Sequence, residues 1–401
     1  MNRQTILRLL LAVCGMACVS AGPTTAQPFQ HPGVLVSEAQ LDFVKAQVQA
    51  KAEPFYTQFL HAQANQYGDL HYKLKGPPAD GVIACGPHSK PDNGCHDEDA
   101  DASAAYLQAL LWYITGNQQY AENAITIMNA YSHNLKAYTL SNAPLQAAWS
   151  AEKWPRAAEI IRYSNAGWAP ADIEAFAGML TKIELPLIYN GSPANGNWEL
   201  SMIEGMMGIA VFTDNRDLLN HAAAMWSERV PAYFYDAVID GDHPVPAPRG
   251  NASWFGQKVF NMSVDGMPQE ACRDFGHTSF GISATMAAAE TAHIQGLNLY
   301  ETEAPRLMAG MEFVAYYLLK NPVPSYVCGG KIKLAKGATF VIGYNEFHNR
   351  LGQQLPNTEK WIQTGVLPDP DPVDMHTTIF EALTHYADAS SAAAAAPAPA
   401  H

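Results

Sequence analysis

The segment "QEACRDFGHTSFG", residues 269–281, sets a guanidinium, two carboxylates, a thiol and an imidazole side by side in a chain where 15% of residues are charged. Carried on a helix, Arg273 and His277 lie four apart and share a face with Gly281, Ala284 and Ala288, and so small a face beside a cation and a proton acceptor leaves room for a ligand. If the chain is still turning at "DFG", that shared face lapses. The bland alternative is an Arg273 ion pair with Asp274 or Glu270, a histidine satisfied in the core and Thr278 as a helix cap.

Two further clusters carry chemistry. In "NGSPANGNWEL", residues 190–200, a turn through Asn195, Gly196 and Asn197 feeds Trp198 and a helix. Such a turn is an N-cap with an aromatic staple. It is equally an amide at a helix start, where anions are favoured, next to an indole that can lie against a sugar. In "GYNEFHNRLG", residues 343–352, Tyr344, Asn345, Glu346, His348, Asn349 and Arg350 crowd into seven positions after the apolar "TFVI". A strand delivering Tyr344 to a cleft, with His348 and Arg350 beside it, is one reading; a polar surface loop is the other.

A hydrolase needs two facing carboxylates, for which Glu199, Glu204, Glu270, Asp274 and Glu346 are available. "CHDEDAD", residues 95–101, lacks the spacing and central glycine of a calcium loop and reads as a capped helix start. No H-E-x-x-H, P-loop or G-x-S-x-G is present.

Apolar spacing of three and four residues marks the elements that must hold these groups. Amphipathic segments run over 37–63, 101–115, 151–163, 170–189, 198–212, 216–235, 278–295, 301–319 and 373–386, and "QQYAENAITIMNAYSHNL" adds another after "GN". Pro170 and Asp172 sit in one first turn, and Asp214 or Asn215 caps another helix. Strand-like sequence occurs only near residues 326–345. The prediction is an all-α protein of antiparallel helix hairpins, whether bundle, solenoid or closed toroid. No repeat of fixed spacing favours the solenoid. Long Pro/Gly-rich loops at 76–94, 241–256 and 321–330 are where binding groups are expected.

The whole chain sets limits. It has 401 residues, 48% of them hydrophobic, enough for a sizeable core. With 24 Lys and Arg against 38 Asp and Glu, the net charge is −14, which excludes nucleic acid as a partner and requires that any cationic groups for an acidic substrate be gathered locally. Residues 1–26 read as a signal peptide, with cleavage near Ala26 or else Ala21, so the expected location is the periplasm or beyond. No later stretch is apolar for long enough to span a bilayer. Residues 27–388 form one domain, and 389–401 are an Ala/Pro tail expected to be disordered.

Four cysteines remain past the leader. Cys85 and Cys95 bracket a short Gly/Pro/Asn-rich loop and are the easiest pair to close, and Cys272 with Cys328 follows by elimination. Their spacing does not suit zinc, so no metal is expected.

Taken in order, "NGNWELSMIEGMMGIAVF", "QEACRDFGHTSFGISATMAAAETAHIQG" and "IGYNEFHNRLG" resemble the alginate lyase superfamily of bacterial polysaccharide lyases, and more closely a secreted branch with an E-x-x-R-D-x-G-H-T signature. The resemblance spans roughly residues 37–386. It implies an (α/α) toroid with a deep cleft and β-elimination of a polyuronate, alginate or a β-linked glucuronan, with no cofactor. It also implies that Asn197 and Arg273 neutralise the uronate carboxylate, that His277 is a second neutraliser or the base, and that Tyr344 is base and then acid. Better-known alginate lyases carry adjacent Asn-Asn-His, whereas this chain has Asn195-Gly196-Asn197-Trp198. The amide is therefore Asn195 or Asn197, and the imidazole comes from His277, with His348 in competition. Trp198, Trp254 and Tyr326 are expected sugar platforms, and Glu270 and Arg350 further substrate contacts. A glycoside hydrolase using Glu270 and Glu346 on the same toroid, and a periplasmic polysaccharide-binding protein, are the alternatives.

Overall fold

The computed structural model describes residues 28–250, 253–335, 337–373 and 376–388. The assigned leader and tail lie outside the described residues. The chain is helical almost throughout. First come α1 (Glu38–Gln49), α2 (Phe55–Ala64), α3 (Cys95–Thr115), α4 (Gln118–Asn134) and α5 (Ala143–Tyr163). They are followed by α6 (Pro170–Met179), α7 (Leu185–Ile188), α8 (Gly196–Phe212), α9 (Arg216–Arg229) and α10 (Phe275–Ile294). The remainder are α11 (Leu299–Leu318), α12 (Val341–Tyr344), α13 (Pro356–Trp361) and α14 (Glu381–His385). Short polar side chains start several of them: Ser37, Asn117, Asn298 and, of the two caps expected for α9, Asn215 each accept a backbone N–H of the first turn.

Helices α3, α5, α8 and α10 pack in succession as a central layer, and α4, α9 and α11 lie outside their respective partners. From α10 the contacts pass to α12, then to α14, and α14 returns to α1 and α2. That closed order is what a toroid requires and an open solenoid lacks. The central helices show little amphipathic contrast because they are covered on every side; in α8 all seventeen residues except Trp198 are buried. Close approach of α8 to α5 depends on small residues. A methyl at Gly205 would lie 2.8 Å from Ala151 Cβ, and one at Gly208 would lie 3.1 Å from the Pro155 ring.

Strand structure is not where the sequence suggests. The described residues of 326–345 hold no strand: a 3-10 turn at Cys328–Gly330 is followed by irregular chain and then α12. Cys328, Gly329 and Gly330 all adopt positive φ, which curls the chain. The apolar "TFVI" is buried all round, and a short apolar run of that kind closes into helix as readily as strand. The three strands described are β1 (Val82–Cys85), β2 (Asp92–Asn93) and β3 (Ala137–Thr139), with β1 antiparallel to β2 and parallel to β3. Both expected disulfides are present: Cys85–Cys95 joins β1 to the start of α3, and Cys272–Cys328 joins positions 56 apart. Among the described residues no helix is long and apolar enough to cross a membrane.

Candidate active site

Arg273 is not helical. The chain turns at Glu270–Asp274, with Arg273 N–H on Glu270 O at 2.9 Å, and α10 begins only at Phe275. The N-cap of α10 is Asp274, whose Oδ1 accepts the His277 backbone N–H at 2.9 Å. The same carboxylate takes His277 Nδ1 at 2.9 and 3.0 Å. The local sequence D-F-G-H thus caps the helix and fixes the imidazole with one side chain. Partial burial opposes charge on Asp274, but the backbone and ring donors of His277, together with Lys333, outweigh it and hold the carboxyl below its usual range.

The small-residue face predicted to receive a ligand is occupied. A Cβ on Gly281 would lie 2.2 Å from the Tyr233 hydroxyl, and one on Gly196 would lie 2.2 Å from the same ring. Tyr233 is fully buried, and its hydroxyl reaches Glu270 Oε2 at 3.3 Å. Glu270 is the centre of this region. It accepts Asn197 Nδ2 at 2.8 and 2.7 Å, Asn197 N–H at 3.1 Å and Arg273 Nη1 at 2.9 Å. A wholly buried carboxylate therefore stands at the N-terminus of α8, takes one of its orphan N–H groups, and positions the amide and the guanidinium together. Glu270, expected from sequence as a substrate contact, is instead buried behind Asn197 and Arg273 and holds both side chains in place.

Asn195, Asn197, Trp198, Arg273 and His277 all line one cavity of about 450 Å³. Its other walls include Trp149, Phe280 and three more imidazoles, of His88, His96 and His376. Among the described residues no Asp or Glu lines it. The first turns of α8 and α10 both border it, each with a carboxylate already on one of its N–H groups, Glu270 on α8 and Asp274 on α10. His88 arrives from the loop closed by Cys85–Cys95, where His88 and Ser89 take the left-handed backbone (φ 53° and 52°), and His96 from the first turn of α3, its ring paired with Asp92.

His376 and Trp149 are the residues that sequence reading misses. The His376 ring stacks on Trp149 at 3.7 Å and 15°, and its Nδ1 lies 3.1 Å from Asp99 Oδ2. Asp99 is buried on α3 and also binds Lys153 Nζ at 3.0 Å. Burial resists its charge, yet Lys153 and His376 keep its carboxyl below the usual range. A lone histidine between Met375 and Thr377, and a tryptophan inside α5, carry no motif; only the fold brings them here. A second cavity, about 440 Å³, shares Phe280 and His376 with the first, and Trp361, Asp369 and Asp371 are among its walls.

The third sequence cluster is elsewhere. Tyr344 stacks on His348 at 4.6 Å and does not line the cavity of Arg273. Burial, with Glu359 and Tyr386, pushes its phenol above the ordinary value. His348 Nδ1 meets Gln353 O at 2.7 Å. Arg350 pairs with Glu290 at 2.8 Å, Glu346 at 2.9 Å and Asp388 at 2.5 Å, so this arginine and Glu346 tie α10, α12 and the C-terminal segment together. Trp254 packs edge-on to Phe260 at 5.1 Å, and it is the neighbouring Phe255 whose ring lies 5.7 Å from the Arg273 guanidinium. Among the described residues no group of His, Cys, Asp and Glu is arranged to hold a metal ion.

A family model described as Alginate lyase matches residues 44–324. Among solved structures, alginate lyase A1-III from Sphingomonas species A1 is similar with a TM-score of 0.60 at 14% identity, over 91% of this chain and 99% of that one. An alginate lyase from Bacteroides ovatus gives a TM-score of 0.47 at 15% identity, over 73% of this chain and 84% of that one. No curated protein sequence matches the chain.

Proposed function

Because the chain belongs to the alginate lyase family and is a polysaccharide lyase, we propose that it cleaves a polyuronate by β-elimination in the cavity between the N-termini of α8 and α10. The observation that carries this reading is the lining of that cavity: Arg273 and four imidazoles with no carboxylate among the described residues, in a chain of net charge −14. A glycosidase needs two carboxylates facing the scissile bond. Glu270 is buried under its four donors and Glu346 is paired with Arg350, so neither supports that alternative.

Removing the C5 proton of a uronate builds a second negative charge next to an existing carboxylate, so the carboxylate must first be neutralised. Arg273 and the amide of Asn197 or Asn195 are the donors for that charge, each well-placed donor being worth about 3 kcal/mol. His277, with Nδ1 on Asp274, offers Nε2 as the base. Trp198 offers a face on which a pyranose ring can rest. Two disulfides are compatible with a periplasmic or extracellular protein, and we assign the mature enzyme to that side of the membrane.

The test is ultraviolet absorbance of the C4=C5 product during incubation with polymannuronate, polyguluronate, glucuronan and a neutral glucan. Absorbance rising on one polyuronate is the expected result and names its sugar. New reducing ends without absorbance would mean hydrolysis and end the proposal.

A further inference from the structure

We propose that His376 is a second catalytic residue, the general acid that protonates the departing O4 opposite His277; this assignment rests on the elimination proposed above. Elimination moves two protons, one off C5 and one onto the leaving oxygen, and Tyr344, expected from sequence to handle both, lies outside the cavity. His376 lines it, and it is also part of the wall to the neighbouring cavity.

The geometry is that of a positioned ring rather than an incidental one. His376 is held on three sides: by the Trp149 face at 3.7 Å, by Phe280 edge-on at 5.3 Å, and by Asp99 at Nδ1. Asp99 is in turn fixed by the fully buried Lys153. His277 mirrors this arrangement, with Nδ1 on Asp274 and its ring standing edge-on to Phe280 at 5.8 Å. One phenyl ring thus separates two imidazoles, His277 hydrogen-bonded through Nδ1 to Asp274 and His376 with Nδ1 3.1 Å from Asp99, a carboxylate from a different part of the fold. In the proposed elimination Nε2 of each ring meets the substrate.

The proton and electron count closes. His277 Nε2 takes the C5 proton, and the C–H electron pair passes into the anion stabilised by Arg273. That pair returns as the C4=C5 double bond while the C4–O4 pair leaves on oxygen. His376 gives its Nε2 proton to that oxygen, forming the hydroxyl of the departing chain. His277 ends with one proton more and His376 with one fewer, and exchange with water restores both.

The experiment compares a polyuronate with a uronide carrying 4-nitrophenoxide at C4, a leaving group that departs without a proton. His376→Gln, and separately His376→Phe, which keeps the stack on Trp149, should lose about 10²–10⁴-fold in kcat on the polymer and less than about 10-fold on the nitrophenyl substrate. His277→Gln should lose activity on both. Activity retained on the nitrophenyl substrate also shows that the variants fold. Equal losses on the two substrates, or none on the polymer, would overturn the assignment of His376 while the wild-type product left the elimination standing. Absence of a C4=C5 product from the wild-type enzyme on either substrate would bring down both.

Discussion

Arg273 donates from Nη1 to Glu270 at 2.9 Å, so the guanidinium of the cavity is tethered to a fully buried carboxylate. The tether reduces its net charge and fixes its place, two effects that separate experimentally.

Glu270→Gln should lower kcat by roughly 10–100-fold while KM stays level or falls, because the anion meets an arginine that is less well placed but no longer compensated. Arg273→Ala should lower kcat by about 10²–10³-fold. Steady-state kinetics on the polyuronate separates the two. A rise in KM equal to the fall in kcat for Glu270→Gln would mean that Glu270 serves binding alone.

Asp274 has two duties, as helix cap and as the partner of His277 Nδ1. Asparagine caps as well as aspartate but cannot counter an imidazolium. Asp274→Asn should therefore leave thermal stability within about 0.5 kcal/mol and lower kcat at least about 10-fold. A large drop in melting temperature with kcat unchanged would refute this division of roles.

Glu98 lies in the interior, hydrogen-bonded to Tyr138 at 2.5 Å and Gln146 at 2.9 Å, and burial pushes its carboxyl up to about 8. The folded state binds its proton more tightly than the unfolded chain, so this contribution to stability is full below the unfolded value near 4.5 and is lost as pH rises towards 8. Chemical denaturation of the wild type should show a fall of a few kcal/mol over that window. Glu98→Gln should flatten the fall, and an unchanged slope would show that Glu98 does not titrate there.

The Cys272–Cys328 bond is adjacent to Arg273 and closes a span of 56 residues. Replacing both cysteines by serine should cost about 2–4 kcal/mol of stability. It should also lower kcat more than KM changes, since the turn that carries Arg273 loses an anchor. Full kcat in a folded double variant would show that the hydrogen bond to Glu270 suffices.

The sequence makes plain what is local. N-caps, hairpins of helices and the two cysteine pairs follow from spacing and residue type, whereas the grouping of Asn197 with Arg273 and His277 is what the family resemblance implies. What fails are inferences from polarity without partners. Tyr344, His348, Glu346 and Arg350 look like a site because they are crowded, yet Glu290 and Asp388, distant in sequence, consume the arginine. His376, Trp149 and Asp99 converge from three separate segments, a meeting that only tertiary packing produces. The apolar run at 339–342 has no period to distinguish strand from buried helix, and the surrounding helices decided it.

Gly196 and Gly281 each leave space for the same tyrosine ring, that of Tyr233, whose hydroxyl ends on Glu270. The three positions therefore have one shared evolutionary fate. Alanine at either glycine demands a smaller residue at 233, and a smaller residue there withdraws a donor from the carboxylate that seats Arg273. Descendants of this protein that keep its arginine should inherit the glycines and the tyrosine as a block, or have exchanged all three together.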